Sequence, residues 1–153
     1  MNKVKALIVE DCKIWQHNIR RWLERYDCYV DMAGSYDEAR RALDRNVYNM
    51  VILDIVINPD VEGPCVSAYS DWESLMHQLT QAFPSTPVFV ISALLGDEPE
   101  RIRQLNPECG VTDFMAKSNF SHEILEQWVD EVRRLKQVGN KPMDTCQNLF
   151  SSP

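Results

Sequence analysis

Charged side chains stand at the ends of several apolar segments in this sequence. Glu10 and Asp11 follow the run at 4–9, Asp54 lies near the end of the run at 50–55, and Lys117 follows the run at 112–116. A pocket shared by three carboxylates is unfavourable because like charges repel, unless a divalent cation neutralises them. Ligands that are all oxygen atoms favour a hard ion, and Mg²⁺ fits best.

A hydroxyl side chain completes this set of residues. Ser92 ends another apolar run, at 88–92. A metal-bound carboxylate near a lysine and a hydroxyl, both able to bind phosphate oxygens, has the parts needed for aspartyl-phosphate chemistry. Phosphoryl transfer asks for little else, because it is catalysed mostly by positioning and by charge neutralisation. The pattern therefore predicts Asp54 as a nucleophile toward phosphorus.

The segments that must position these residues alternate between strand and helix. Apolar, β-branched runs predict strands at 4–9, 29–33, 50–55, 88–92 and 112–116. Apolar residues at helical spacing predict helices at 15–26, 35–43, 72–83, 100–105 and 121–135. This alternation favours an α/β fold with a doubly wound five-stranded parallel sheet and helices on both faces. In such sheets the ligand site lies beyond the carboxyl ends of the strands, so the residues above should converge there.

Local signals mark the ends of some of these helices. Ser35 and Glu38 have the spacing of a capping box, and Ser121 can cap the last helix. The segment 57–70 is rich in turn residues, and helical periodicity returns only at Trp72. We therefore expect a long loop before the third helix.

Composition limits the classes of protein that this chain can represent. Its 153 residues are 44% hydrophobic and 25% charged, which is typical of one folded domain. A formal net charge of -7 disfavours nucleic-acid binding. The sequence has no apolar run near the roughly 20 residues of a membrane span and no secretory signal, which predicts a cytoplasmic protein without membrane contact.

Two further features bear on organisation. The five cysteines are scattered and never spaced as C-x-x-C, so neither a disulfide framework nor a zinc site is indicated. The segment 137–153 has two prolines and no periodicity. We therefore expect one domain over residues 1–136 and a tail or linker over 137–153.

With its motifs in this order and spacing, the chain resembles the receiver domain of bacterial two-component response regulators over residues 1 to about 136. The resemblance is carried by the acidic pair after the first strand, the phospho-acceptor ending the third, a hydroxyl after the fourth, an invariant lysine and an aromatic three residues before it. These positions are Glu10, Asp11, Asp54, Ser92, Lys117 and Phe114.

This resemblance implies a strand order of 2-1-3-4-5 and a signalling domain, which is not an enzyme beyond self-phosphorylation and autodephosphorylation. A sensor histidine kinase or a phosphotransfer protein would phosphorylate Asp54 in an Mg²⁺-dependent step, with the backbone carbonyl of Val56 as a further metal ligand. Ser92 and Phe114 would act as the switch pair and change contacts with a downstream protein target. The family also commonly forms homodimers.

The sequence also departs from the family pattern. Ser118 follows Lys117 where the family usually has a cis proline, so we expect a trans peptide bond. The loop after Asp54 is long and carries Asp60 and Glu62. These departures leave open a phosphorylation-independent pseudo-receiver that acts as an interaction or dimerisation module. A phosphohydrolase is disfavoured, because the second aspartate common in such enzymes is replaced by Val56.

Overall fold

The computed structural model describes residues 3–54, 66–92 and 111–139. Five parallel strands form one sheet in the order β2-β1-β3-β4-β5. The strands are β1 (Lys5–Val9), β2 (Tyr29–Ala33), β3 (Met50–Asp54), β4 (Val88–Ser92) and β5 (Asp113–Ala116). The predicted α/β class, the parallel sheet and the strand order are confirmed.

Helices cover both faces of this sheet. They are α1 (Lys13–Arg25), α2 (Tyr36–Arg45), α3 (Val66–Ala82) and α4 (His122–Gly139), with a short 3-10 turn at Lys117–Asn119. Buried residues of α2 and α3 share one apolar core with the sheet, and those of α1 and α4 share a second core on the opposite face. The helix predicted at 100–105 lies outside the described residues.

Each central strand contributes side chains to both cores. In β1, Leu7 and Val9 belong to the core under α2 and α3, whereas Ala6 and Ile8 belong to the core under α1 and α4. This division follows from the alternation of side chains along a strand. Because both faces are covered, the strand reads as a continuous apolar run, which is why it could be predicted from the sequence.

The start of α2 confirms the predicted cap with one difference. The backbone N–H of Glu38 donates to Oγ of Ser35 at 3.1 Å. In a capping box the glutamate side chain would return to the N–H of the capping residue. Here Oε2 of Glu38 accepts from the N–H of Gly34, one residue earlier, at 2.6 Å.

The predicted start of the third helix was wrong. The helix begins at Val66, so residues 66–70 are helical and do not belong to a loop that reaches residue 70. The turn-forming residues end at Pro64, and Val66–Ser70 contains no Gly or Pro to stop a helix. The first part of the predicted loop, including Pro59, Asp60 and Glu62, lies outside the described residues.

The last helix matches its predicted cap and most of its predicted apolar stripe. The N–H of Ile124 donates to Oγ of Ser121 at 3.4 Å. Leu125, Trp128 and Val132 are buried, but Leu135, predicted to join them, is 39% exposed. The helix continues to Gly139, three residues beyond the domain end predicted at 136. None of the described helices is long and apolar enough to cross a membrane.

Candidate functional site

Three carboxylates meet at the carboxyl edge of the sheet. Glu10 follows β1, Asp11 precedes α1, and Asp54 ends β3. One carboxylate oxygen from each lies within 4.8 Å of the others. Glu10 and Asp54 are buried, at 0% and 2% exposure, and Asp11 is half-buried. The convergence predicted from the strand ends is therefore present for these residues.

Lys117 supplies a positive charge at the same place. Its Nζ lies 2.8 Å from Oε2 of Glu10 and 3.1 Å from Oδ2 of Asp54. Burial by itself would lower the pKa of Lys117, but the negative charges of Asp54 and Glu10 outweigh it and raise that pKa above the usual value. The lysine is therefore held in its charged form between two carboxylates.

Hydrogen bonds fix the backbone that carries these side chains. The buried hydroxyl of Tyr36 donates to the backbone carbonyl of Asp54 at 3.0 Å. The N–H of Cys12 donates to Oε1 of Glu10 at 3.0 Å, and Nε2 of Gln16 donates to the carbonyl of Glu10 at 2.5 Å. The first turns of α1 and α2 thus hold the ends of β1 and β3.

Ser92 and Phe114 lie on neighbouring strands and share one face of the sheet. Ser92 is buried at the end of β4 and pairs in register with Ala116, the residue before Lys117. Phe114 packs against the core under α2 and α3, which also contains Val90. Because residues two apart on a strand face the same side, Ser92 shares this face with Val90 and Phe114.

The carboxylate cluster is suited to a small hard cation. Two oxygen ligands of one Mg²⁺, each about 2.1 Å from the ion, lie at most about 4.2 Å apart. The three carboxylate oxygens of the cluster lie within 4.8 Å of one another, which is close to this spacing. Oε2 of Glu10 is buried, and its partner is the ammonium of Lys117 at 2.8 Å. Three carboxylates against one ammonium leave negative charge that a divalent cation would neutralise.

A family model for the response regulator receiver domain matches residues 6–129 of this sequence. The match spans most of the chain and includes every residue of the cluster. The chain belongs to the response regulator receiver domain family. Receiver domains are signalling domains, generally without enzymatic activity of their own, and they interact with histidine kinases or phosphotransfer proteins.

Curated and solved relatives agree with this assignment. Transcriptional regulatory protein ResD of Bacillus subtilis (strain 168) is 26% identical over 138 residues, which cover 90% of this receiver domain chain but 51% of ResD. The chain thus spans about half the length of that relative.

Two solved structures show the same architecture. The Francisella response regulator 1452 receiver domain has a TM-score of 0.66 and 25% identity, covering 89% of this chain and 99% of its own. The CheY-like response regulator receiver domain protein from Methanospirillum hungatei JF-1 has a TM-score of 0.70, and the match covers 89% of this chain and 98% of that one. The identity is 17%, so this structure supports the fold alone.

Two expectations for this receiver domain concern the backbone near the cluster. The peptide bond between Lys117 and Ser118 is trans, as expected, since none of the described peptide bonds is cis. Val56, whose carbonyl was expected to bind the metal, lies outside the described residues. Its role therefore stays a prediction.

Sequence reasoning missed three residues around the receiver domain's cluster. Trp15, the first residue of the helix predicted at 15–26, has its ring centroid 5.1 Å from Nζ of Lys117. Trp15 lies in the first turn of α1, but the sequence pattern gives no signal of its contact with Lys117. Tyr36 and Gln16, which bond to the backbone of Asp54 and Glu10, gave no signal either.

Proposed function

We propose that this receiver domain accepts a phosphoryl group on Asp54 in an Mg²⁺-dependent reaction. The donor would be a phosphohistidine of a sensor histidine kinase or of a phosphotransfer protein. The observation that carries the proposal is the meeting of Asp54 with Glu10, Asp11 and Lys117 in one cluster. A nucleophile, acidic metal ligands and a cation for the phosphoryl oxygens are the parts that such a transfer requires.

Each residue of the cluster has a defined task in this reaction. A carboxylate oxygen of Asp54 forms a bond to phosphorus while the bond from phosphorus to the donor nitrogen breaks. Glu10, Asp11, Asp54 and the backbone carbonyl of Val56 would hold Mg²⁺, which neutralises charge on the phosphoryl oxygens when bound. Lys117, whose Nζ lies 3.1 Å from Oδ2 of Asp54, would pair with one of those oxygens. Water later hydrolyses the acyl phosphate and restores Asp54.

Ser92 and Phe114 would convert phosphorylation into a change of shape. The hydroxyl of Ser92 would donate to a phosphoryl oxygen, and Phe114 would turn inward to fill the space that this movement leaves. Their shared face of the sheet, in neighbouring strands, supports this coupling. We propose that the changed surface contacts a downstream protein, and that nucleic acid is not contacted by this domain, whose formal charge is -7.

The alternative of a phosphorylation-independent pseudo-receiver is less well supported. Such a module would need neither a buried carboxylate at position 54 nor a lysine paired with it. Burying these charges costs free energy, even when they are paired, and replacement by apolar residues is often neutral or stabilising. In a pseudo-receiver this cluster would cost folding free energy without serving a reaction.

The proposal is tested by locating the modification. The protein is incubated with Mg²⁺ and acetyl phosphate, and the product is reduced with borohydride, which converts an aspartyl phosphate to homoserine. Peptide mass spectrometry should place homoserine at position 54 in the treated protein and leave aspartate there in the untreated control. Homoserine at another aspartate, with position 54 unchanged, would contradict the proposed acceptor.

A further inference from the structure

The ammonium of Lys117 has a third neighbour besides its two carboxylates, the indole ring of Trp15. Nζ lies 5.1 Å from the ring centroid, inside the roughly 6 Å within which an aromatic face attracts a cation. The Lys117 side chain is 9% exposed. This attraction is stronger where water is excluded, so the burial of Lys117 favours the contact.

The short turn that carries Lys117 has little support of its own. No side chain caps the start of the 3-10 turn Lys117–Asn119. Ser118 and Asn119 are exposed. The turn is closed by the N–H of Phe120, which donates to the carbonyl of Lys117 at 3.3 Å. Its position therefore depends on what holds Lys117 and Phe120 at its two ends.

Trp15 contacts both ends of this turn. Its ring lies 6.1 Å from the ring of Phe120, measured between centroids. Phe120 is buried and is itself packed at 6.2 Å against Trp22 and at 5.2 Å against Trp128, which stacks on Phe89 at 4.6 Å. The indole of Trp15 is thus supported by a packed aromatic cluster on one side while it faces the ammonium of Lys117.

We propose that Trp15 is a positioning residue whose ring holds the Lys117 ammonium at the carboxylate cluster. The importance of Trp15 for phosphoryl transfer rests on the proposed function, whereas the contact between Trp15 and Lys117 does not. Indole attracts a cation more strongly than benzene does, and an aliphatic side chain lacks this attraction. The proposal therefore predicts that the Lys117 ammonium is held most firmly with Trp at position 15, less firmly with Phe and least firmly with Leu. This difference comes in addition to the effect of lost packing.

The contact can be measured without any phosphorylation. In protein labelled with ¹³C-lysine, the ε-methylene signal of Lys117 is assigned by its absence in Lys117→Arg. The indole ring current should shift this signal upfield. Trp15→Leu should return it to the ordinary lysine position, Trp15→Phe should leave it in between, and Trp22→Leu should not move it. An unchanged signal in Trp15→Leu would overturn the proposal.

A kinetic comparison separates positioning from packing. With acetyl phosphate and Mg²⁺, Trp15→Leu should take up phosphate about three- to tenfold more slowly than wild type, and Trp15→Phe should stay within about twofold. Trp22→Leu is the matched control, because Trp22 also packs on Phe120. Equal slowing by Trp15→Leu and Trp22→Leu would overturn the positioning role. If wild type takes up no phosphate, the proposed function fails, and the lysine signal still decides whether Trp15 holds Lys117.

Discussion

Nζ of Lys117 lies 3.1 Å from Oδ2 of Asp54, although 63 positions of sequence separate the two residues. The pair forms because β3 and β5 end at the same edge of the sheet, with β4 between them. The side chains are 9% and 2% exposed, so water screens their charges poorly. This ion pair joins the predicted nucleophile to the predicted phosphate-binding cation.

Replacing Lys117 should destabilise the protein, because Glu10 and Asp54 would be left buried without their cation. We expect Lys117→Met to lower the free energy of unfolding by about 3 kcal/mol at neutral pH without Mg²⁺. Urea unfolding measures the difference. Lys3→Met is the control: Lys3 forms an exposed pair with Asp27, and such pairs contribute little. Equal losses of unfolding free energy in Lys117→Met and Lys3→Met would contradict the role of burial.

The same variant has a defined pH dependence. Asp54 and Glu10 raise the pKa of Lys117 in the folded state despite the opposing effect of burial. A raised pKa stabilises the fold fully below the pKa of the unfolded lysine, about 10.4, and this contribution is lost as pH rises through the folded value. The gap in unfolding free energy between wild type and Lys117→Met should therefore hold near neutral pH and shrink only above about pH 10.4. A gap that closes near neutral pH would contradict this assignment.

Mg²⁺ should stabilise the folded protein through the carboxylate cluster. A cation that binds only the folded state, at a concentration of 100 times its Kd, adds about 2.7 kcal/mol to the free energy of unfolding. Thermal unfolding with and without Mg²⁺ measures this gain, and Asp11→Asn should remove most of it. Asp31→Asn, which changes a carboxylate on β2 outside the cluster, should keep the gain. The same rise in unfolding temperature in Asp11→Asn would place the metal elsewhere.

Tyr36→Phe should weaken both stability and phosphorylation. The variant removes the hydrogen bond from the tyrosine hydroxyl to the carbonyl of Asp54, which should cost about 1 kcal/mol of unfolding free energy. It should also slow phosphate uptake, because the end of β3 loses one restraint.

Tyr48→Phe provides a matched control for Tyr36→Phe. Tyr48 is also buried, and its hydroxyl donates to Asp31 at 2.7 Å, outside the carboxylate cluster. This variant should lose stability but keep the wild-type rate of phosphate uptake. If both variants slow uptake equally, the effect belongs to general stability and not to the position of Asp54.

Much of the fold could be predicted because its signals are local or periodic. The strands β1, β3 and β4 are buried on both faces and therefore appear as short apolar runs. Parallel strands place their carboxyl ends together, so the sequence alone assigns Glu10, Asp54 and Lys117 to one edge of the sheet.

Other features depend on distances that a sequence pattern does not contain. Trp15 belongs to the apolar stripe of α1, and periodicity alone assigns such a residue to packing. Its contact with Lys117 depends on how α1 is rotated against the turn after β5. The start of α3 at Val66 was missed because residues 66–70 have weak apolar periodicity and follow a segment rich in turn residues. They were therefore assigned to the loop.

The most direct test of the central claim is the intact mass of the protein after incubation with Mg²⁺ and acetyl phosphate. Wild type should gain the mass of one phosphoryl group, lose that gain when EDTA replaces Mg²⁺, and show none in Asp54→Asn. Asp31→Asn should be labelled like wild type. Absence of the added mass from folded, Mg²⁺-saturated wild type, or an equal gain in Asp54→Asn, would contradict the assignment of Asp54 as the phosphoryl acceptor.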